Sequence, residues 1–221
     1  MSHFSRDKVI KACNSSLEKL GVDTVDLYQL HWPNYKVSIK ETMSAMEELQ
    51  RQGKIRHIGV SNFSAQEVEE AQAALKNSEI VSNQVEYSLI VREAEKELLG
   101  YSKSHNITVI AYSPFAHGAL FDKRNRELLD FLEGVGKAYG KTAVQVTLNW
   151  LLSKDQVVAI PKADRIEHVD ENFGALGFKL SDEDIREIDR KSEAFAQPSL
   201  AASFRRRTLG LFGNSGKGLK P

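Results

Sequence analysis

Cysteine, long apolar runs and an excess of either charge are what this sequence has least of. Its one cysteine, Cys13, rules out an intrachain disulfide. It falls in a stretch of helical period, where a small buried apolar group is the expected role and a reactive thiol the alternative. The 30 Lys and Arg are balanced by 30 Asp and Glu, so no global field draws the chain to nucleic acid or to an anionic membrane surface. No apolar run approaches the roughly 20 residues needed to span a bilayer. The opening Met1-Ser2-His3-Phe4-Ser5-Arg6-Asp7 has no apolar signal core, so a soluble, cytoplasmic protein is expected. Also missing are a Gly-x-Gly-x-x-Gly after any strand and a Gly-Lys-Ser/Thr loop, which disfavours Rossmann and P-loop modes of nucleotide binding. No internal repeat longer than one βα unit is present, and no metal site is expected.

What is present is enough apolar material for a core: 221 residues, 41% hydrophobic, a length that fits one large domain or two small ones. Between about residues 5 and 194, short β-branched apolar runs alternate with longer stretches of helical period, the signature of repeated βα units and a parallel sheet. Five runs read as strands: Thr24 to Trp32, Ile55 to Ser61, Ile80 to Tyr87, Ile107 to Ser113 and Val157 to Lys162. Helices are expected over Ser5 to Leu20, Ser38 to Arg51, Ser64 to Leu75, Val91 to Ser104, Asn125 to Tyr139, Thr142 to Ser153 and Ser181 to Arg190. Ser64-Ala65-Gln66-Glu67 and Ser181-Asp182-Glu183-Asp184 resemble N-cap boxes, while Gly21 and Gly53 fall where a helix end needs positive φ. From Phe195 the composition shifts to Ala, Ser, Gly and Pro. Residues 195–221 are therefore expected to form an irregular or disordered tail after a folded region over 1–194. Within the tail, Arg205-Arg206-Arg207 reads first as a solubilising charge cluster, with a phosphosite context or an anionic contact as alternatives.

Each strand candidate ends in polar or aromatic groups: His31-Trp32, Ser61-Asn62, Asn83-Gln84, Tyr112-Ser113 and Lys162. In a parallel α/β structure those ends face one rim. One such terminus would mean little, since Ser or Asn there commonly caps the next helix. Five together predict a site with hydrogen-bonding groups, an aromatic plate and a cation, suited to a flat phosphorylated cofactor. Ser61, Asn62 and Gln84 could grip a carboxamide, Tyr112 could stack on a heteroaromatic ring, and Lys162 with the helix start after it could meet phosphate.

The motifs Asp26-Leu27-Tyr28-Gln29-Leu30-His31-Trp32-Pro33, Gly53-Lys54-Ile55-Arg56-His57-Ile58-Gly59-Val60-Ser61-Asn62-Phe63, Asn83-Gln84-Val85-Glu86-Tyr87, Ala111-Tyr112-Ser113-Pro114 and Ile160-Pro161-Lys162 stand in an order that resembles the aldo-keto reductase superfamily. The resemblance covers about residues 5 to 194. It implies an α/β fold of the (β/α)₈ TIM-barrel type, here an incomplete barrel of about five βα units. It also implies NADPH as cofactor and hydride transfer between its nicotinamide and an aldehyde or ketone carbonyl. The family tetrad is Asp, Tyr, Lys and His; its histidine corresponds to His31, which would orient and polarise the carbonyl. Trp32 corresponds to a pocket-lining ring. Ser61, Asn62 and Gln84 correspond to the carboxamide contacts, Tyr112 to the ring stacked on nicotinamide, Ser113 and Phe115 to the pyrophosphate loop, and Lys162, Glu171 and Asn172 to the adenosine end. Helix capping remains the alternative for Ser61 and Asn62, and plain packing for Phe115.

Three departures qualify what the resemblance implies. Ala163 stands where many NADPH-preferring members carry Ser or Thr, and His168 where they carry arginine; Arg165 is the candidate substitute, and NADH becomes possible. The tetrad Asp, Tyr and Lys come from three βα units that in family members precede the His31 strand, and they have no counterpart here. Tyr28, Tyr35 and Tyr87 do not correspond to the acid, and Lys36 and Lys40 read as loop or helix lysines. Five strands of an eight-stranded barrel leave open edges, so an oligomer or a partner that covers them is expected, or a truncated gene product. The resemblance thus implies an NAD(P)H-dependent carbonyl reductase acting on a small-molecule substrate. The alternative is a non-catalytic protein, cofactor-binding or regulatory.

Overall fold

In a computed structural model, residues 4–201 and 203 are described. Helix and strand alternate through them. The helices are α1 (Arg6–Leu20), α2 (Ile39–Arg51), α3 (Ala65–Ala73), α4 (Leu98–Ser104), α5 (Arg126–Tyr139), α6 (Ala143–Leu152), α7 (Ile166–Phe173) and α8 (Asp182–Glu193). The strands are β1 (Val25–Leu30), β2 (Ile55–Ser61), β3 (Ile80–Glu86), β4 (Thr108–Tyr112) and β5 (Val157–Ile160), one sheet in chain order. The α/β architecture expected from the sequence is therefore realised. The chain divides into two compact units, Met1–Val85 with Glu97–Ile110, and Glu86–Lys96 with Ala111–Pro221.

In the first unit, β1 pairs in parallel with β2, and β2 with β3. Side chains that alternate along a parallel strand meet helices on one face and the sheet interior on the other, which is why Ile55, Ile58 and Val60 are all buried. On α1, Val9, Cys13 and Leu17 repeat at a spacing of four and form the buried stripe. Cys13 is fully buried, and burial pushes its thiol pKa up. α3 starts at Ser64, whose hydroxyl accepts from the Glu67 N–H while the Glu67 carboxylate accepts from the Ser64 N–H, the capping box that the sequence predicts. Gly21 and Gly53 adopt φ of 67° and 74°.

The second unit is centred on α5, α6 and α8. α5 buries Leu128, Leu129 and Leu132, and Gly136 comes so close to the Lys141 carbonyl that any side chain there would collide with it. Trp150 is fully buried on α6, its ring 5.6 Å from that of Tyr87. The Asp189 carboxylate accepts from Trp150 Nε1 at 2.9 Å, Arg92 at 2.9 Å and Lys154 at 3.1 Å. Lys154 Nζ also lies 4.6 Å from the Trp150 ring and the Arg92 guanidinium 5.4 Å, so both cations contact the indole as well as the carboxylate. By contrast α7 buries none of its residues, and Val158, Ile160, Ile166, Val169 and Phe173 stand exposed along it and β5.

One expected helix differs. Instead of one run from Val91 to Ser104 there is a 3₁₀ turn at Glu93–Glu95 followed by α4. Ser88 accepts the N–H groups of Ile90 and Val91 at its hydroxyl, which sets up a local turn that competes with helix. Arg92 then sits at φ −113°, and its side chain is drawn to Glu95 and Asp189. β2 has the expected bounds, while the other four strands are shorter than expected at their carboxyl ends: His31, Trp32, Tyr87, Ser113 and Lys162 lie in the loops beyond them.

Of the 195–221 stretch, only residues 195–201 and 203 are described. There the Gln197 N–H donates to the Ile90 carbonyl at 2.7 Å and the Leu200 N–H to Glu86 Oε2 at 2.8 Å, and Ser199 and Ala201 are buried. Arg205, Arg206 and Arg207 lie outside the described residues. Among the described residues, no helix is long and apolar enough to cross a membrane.

Candidate functional site

In the first unit the register brings the predicted residues into one row. Leu30 pairs with Val60, Val60 with Asn83 and Ser61 with Gln84, so His31, the residue after Leu30, falls level with Ser61 and Gln84 at the carboxyl ends of three strands. Asn62 closes the row. Its backbone takes φ 63°, its N–H donates to the Gln84 carbonyl at 2.8 Å, and its side-chain Nδ2 donates to the His31 carbonyl at 3.1 Å and to Ser61 Oγ at 3.1 Å. A non-glycine residue in this conformation costs of order 1 kcal/mol or more and persists where surrounding bonds fix it. Ser61 Oγ donates to the Gln84 carbonyl at 2.8 Å. Helix capping is not what Ser61 and Asn62 do, because Ser64 caps α3. The His31 side chain is exposed and that of Trp32 half-buried, with ring centres 6.4 Å apart.

Behind this row lies a group that the sequence reading did not single out. Gln29 Nε2 donates to the Val60 carbonyl at 3.2 Å and to Ser82 Oγ at 3.4 Å, and Gln29 Oε1 accepts from Gln84 Nε2 at 3.1 Å. Gly59 on β2 leaves the space these side chains occupy: a Cβ there would stand 2.5 Å from Ser82 Oγ and 2.9 Å from Gln29 Cγ. An amide inside a largely apolar strand, opposite a mid-strand glycine on the next, was the available signal.

In the second unit, Tyr112 ends β4. Burial first, and then the Glu86 carboxylate, push its phenol up to about 12. The loop after it holds Ser113, Ala116, His117 and Gly118 at φ of 51°, 50°, 54° and 89°. It is tied down by Ser113 Oγ against His117 Nδ1 at 3.2 Å and by His117 Nε2 against buried Glu86 at 3.2 Å. Phe115 packs on Phe121 at 5.7 Å. Farther along the chain in the same unit, Lys162 is exposed and paired with Asp164 at 3.0 Å, and Arg165 pairs with Glu167 at 3.2 Å. Ala163 and Asn172 line an apolar cavity of about 320 Å³ together with Leu148, Val158, Val169 and Phe173. His168 is exposed and Glu171 half-buried on α7.

The tyrosines set aside as acids are engaged elsewhere. Tyr87 is fully buried with its hydroxyl on Glu95 at 2.7 Å, Tyr35 donates to Glu67 at 2.6 Å, and burial pushes Tyr28 up to about 12. Among the described residues, no group of three or more His, Cys, Asp or Glu could hold a metal ion.

Comparison with known proteins identifies the family. A model of the Aldo/keto reductase family matches residues 1–193. The chain is 38% identical over 184 residues to methylglyoxal reductase YeaE of Escherichia coli (strain K12), a match that covers 83% of this chain and 64% of that protein. It is 39% identical over 185 residues to glyoxal reductase of Bacillus subtilis (strain 168), covering 83% and 62%. The chain thus spans less than two thirds of the length of these curated relatives. Among solved structures it resembles a thermostable aldo-keto reductase in complex with the inhibitor epalrestat, with a TM-score of 0.80 at 40% identity, covering 86% of this chain and 68% of that one. It also resembles an aldo/keto reductase from Klebsiella pneumoniae in complex with NADP and acetate, with a TM-score of 0.75 at 36% identity, covering 86% and 66%.

Proposed function

The chain belongs to the aldo/keto reductase family, and from that premise we propose that it binds a nicotinamide cofactor and serves the reduction of small aldehyde or ketone carbonyls. The observation that carries this reading is the row His31, Ser61, Asn62 and Gln84, brought level by the parallel register and fixed by hydrogen bonds from Asn62 and Ser61. The residues fit the group: a hydroxyl and two side-chain amides at one strand edge match a planar carboxamide, which has two N–H donors and one acceptor. Ser61, Asn62 and Gln84 would hold the nicotinamide end. Tyr112, with its phenol kept neutral, offers an uncharged ring for stacking. Ser113 and Phe115 belong to a loop with several left-handed residues, tied down through His117, that would run along the pyrophosphate, and Lys162, Glu171 and Asn172 to the adenosine end. NADPH is the preferred form on Lys162, with NADH also accepted because Ala163 and His168 offer less to a 2′-phosphate.

When bound, the cofactor would supply the hydride, and solvent reaching the exposed His31 would supply the proton that completes the alcohol. The exposed His31 ring contributes orientation and a hydrogen bond to the carbonyl oxygen as charge develops there, and Trp32 provides a wall for the substrate. Relatives at 38–39% identity named for methylglyoxal and glyoxal support small dicarbonyl aldehydes as the first substrates to try.

The test is a pair of measurements on the full chain. Titration with NADPH, followed by nicotinamide fluorescence, should show saturable binding that Gln84→Ala weakens about tenfold. Loss of nicotinamide absorbance on adding methylglyoxal should depend on His31. Saturable binding without such loss would move the reading to a non-catalytic cofactor-binding protein, and no binding at all would sink it.

A further inference from the structure

The direction of every hydrogen bond behind the strand-end row follows from one backbone carbonyl. The Val60 carbonyl oxygen can only accept, so the Gln29 side chain must turn its NH₂ group toward it, at 3.2 Å. That leaves Gln29 Oε1 facing Gln84, and an oxygen there accepts the Gln84 NH₂ group at 3.1 Å. Gln84 therefore has its NH₂ group directed at Gln29 and its Oε1 left as an acceptor for a ligand. Ser61 is fixed in the same sense: its proton goes to the Gln84 carbonyl at 2.8 Å, and one of its lone pairs takes the Asn62 amide at 3.1 Å, leaving one lone pair.

We infer that Gln29 is a positioning and specificity-determining residue, which holds Gln84 as an acceptor so that the site selects a carboxamide over a carboxylate on the pyridine ring. The inference rests on the reading of Ser61 and Gln84 as nicotinamide contacts. Two lone pairs, on Ser61 Oγ and Gln84 Oε1, suit the two N–H donors of a nicotinamide. A nicotinic acid group has no donor at neutral pH and would set lone pair against lone pair, leaving desolvated acceptors unpaired. Gly59 belongs to the same device, because only a residue without a side chain lets Gln29 and Ser82 approach the strand closely enough to complete the chain of bonds.

The experiment compares binding of NADP⁺ with that of its nicotinic acid analogue, in which the carboxamide alone is replaced by a carboxylate, by titration calorimetry on the full chain. The wild-type chain should prefer the carboxamide by about 30-fold, the cost of two unpaired acceptors. In Gln29→Leu and Gln29→Met, the Gln84 amide is released to turn over and offer its NH₂ group, and the preference should fall below about fivefold. In both variants, affinity for 2′,5′-ADP, which lacks the pyridine, should stay unchanged. Full preference retained in Gln29→Leu and Gln29→Met, or none in the wild-type chain, would overturn the inference. Unchanged NADP⁺ affinity in both Gln84→Ala and Ser61→Ala would instead overturn the underlying assignment of the nicotinamide contacts. Unchanged 2′,5′-ADP binding certifies that each variant is folded. Should Gln29→Leu fail to bind it, Gln29→Met carries the comparison.

Discussion

Gly59 lies against Gln29 so closely that a methyl group on its Cα would stand 2.9 Å from Gln29 Cγ. The same methyl would stand 2.5 Å from Ser82 Oγ and 3.1 Å from Leu27 Cδ1. The serine hydroxyl can swing away, but Cγ of a side chain held at both ends cannot do so without breaking a hydrogen bond. Gly59→Ala is expected to destabilise the chain by about 1–3 kcal/mol, the usual cost of overpacking a filled interior. For a chain of this size that corresponds to roughly 2–4 °C in melting temperature per kcal/mol. Thermal unfolding followed by circular dichroism measures it, and NADPH affinity should fall together with stability. A melting temperature equal to that of the wild-type chain would show that the strand gives way more easily than its contacts indicate.

A second expectation concerns Asp189, which accepts from Trp150 Nε1, Arg92 and Lys154 together. Removing it leaves an indole N–H and two cations without their shared acceptor. Loss of one partner from a fully buried ion pair costs about 3–5 kcal/mol. Here the carboxylate side chain is 31% exposed, so solvent takes over part of its role and about 2 kcal/mol is the better estimate. Asp189→Ala should therefore melt about 4–8 °C lower and change the near-ultraviolet signal of Trp150. A shift under 1 °C would mean that the cations over the indole, at 4.6 and 5.4 Å, hold the cluster without the carboxylate.

Much of this architecture was legible in the sequence, for identifiable reasons. The Ser64 box was readable because a cap is a matter of four consecutive residues. The row at His31, Ser61 and Gln84 was readable because a parallel register carries strand ends to one edge whatever the substrate. Arg92 was not, because its partners Asp189 and Ser192 lie 97 and 100 residues away, and no local pattern announces them. Nor was Gln29: within Val25 to Leu30 it reads as one polar member of a largely apolar run, and its role depends on Gly59 on the neighbouring strand and Ser82 two strands away. The break at Val91 was hidden for a related reason, since Ser88 acts there through its hydroxyl rather than through helix propensity.

Alkaline stability offers a third test. Burial pushes Tyr28 and Tyr112 each up to about 12, and Tyr87 up as well, from an ordinary phenol value of 10.0. A group whose pKa is higher in the folded chain binds more protons there than in the unfolded chain, so stability falls as pH rises between the two values. Their contribution is complete below pH 10 and disappears progressively toward pH 12. Denaturation midpoints should accordingly decline above pH 10, and part of the phenolate absorbance should appear only toward pH 12. Ionisation of all six tyrosines together near pH 10 would refute the burial assigned to them.

The adenosine end gives the last expectation. Lys162 is exposed and holds Asp164, while the Arg165 Nε is engaged by Glu167, both of them surface pairs worth at most about 1 kcal/mol that a phosphate can displace. Arg165 can therefore be recruited, but only by giving up its carboxylate, and position 168 lies exposed on α7. His168→Arg should raise affinity for NADPH relative to NADH by about tenfold, and Ala163→Ser by about fivefold through one added hydroxyl donor to a charged group. Because the 2′-phosphate is the difference between the two cofactors, NADH affinity itself should hardly change. The salt dependence separates the two substitutions: added chloride should erode the gain from the arginine, a point charge at the surface, far more than the gain from the serine. Equal gains for NADH and NADPH would mean that these positions touch the adenosine without sensing its phosphate.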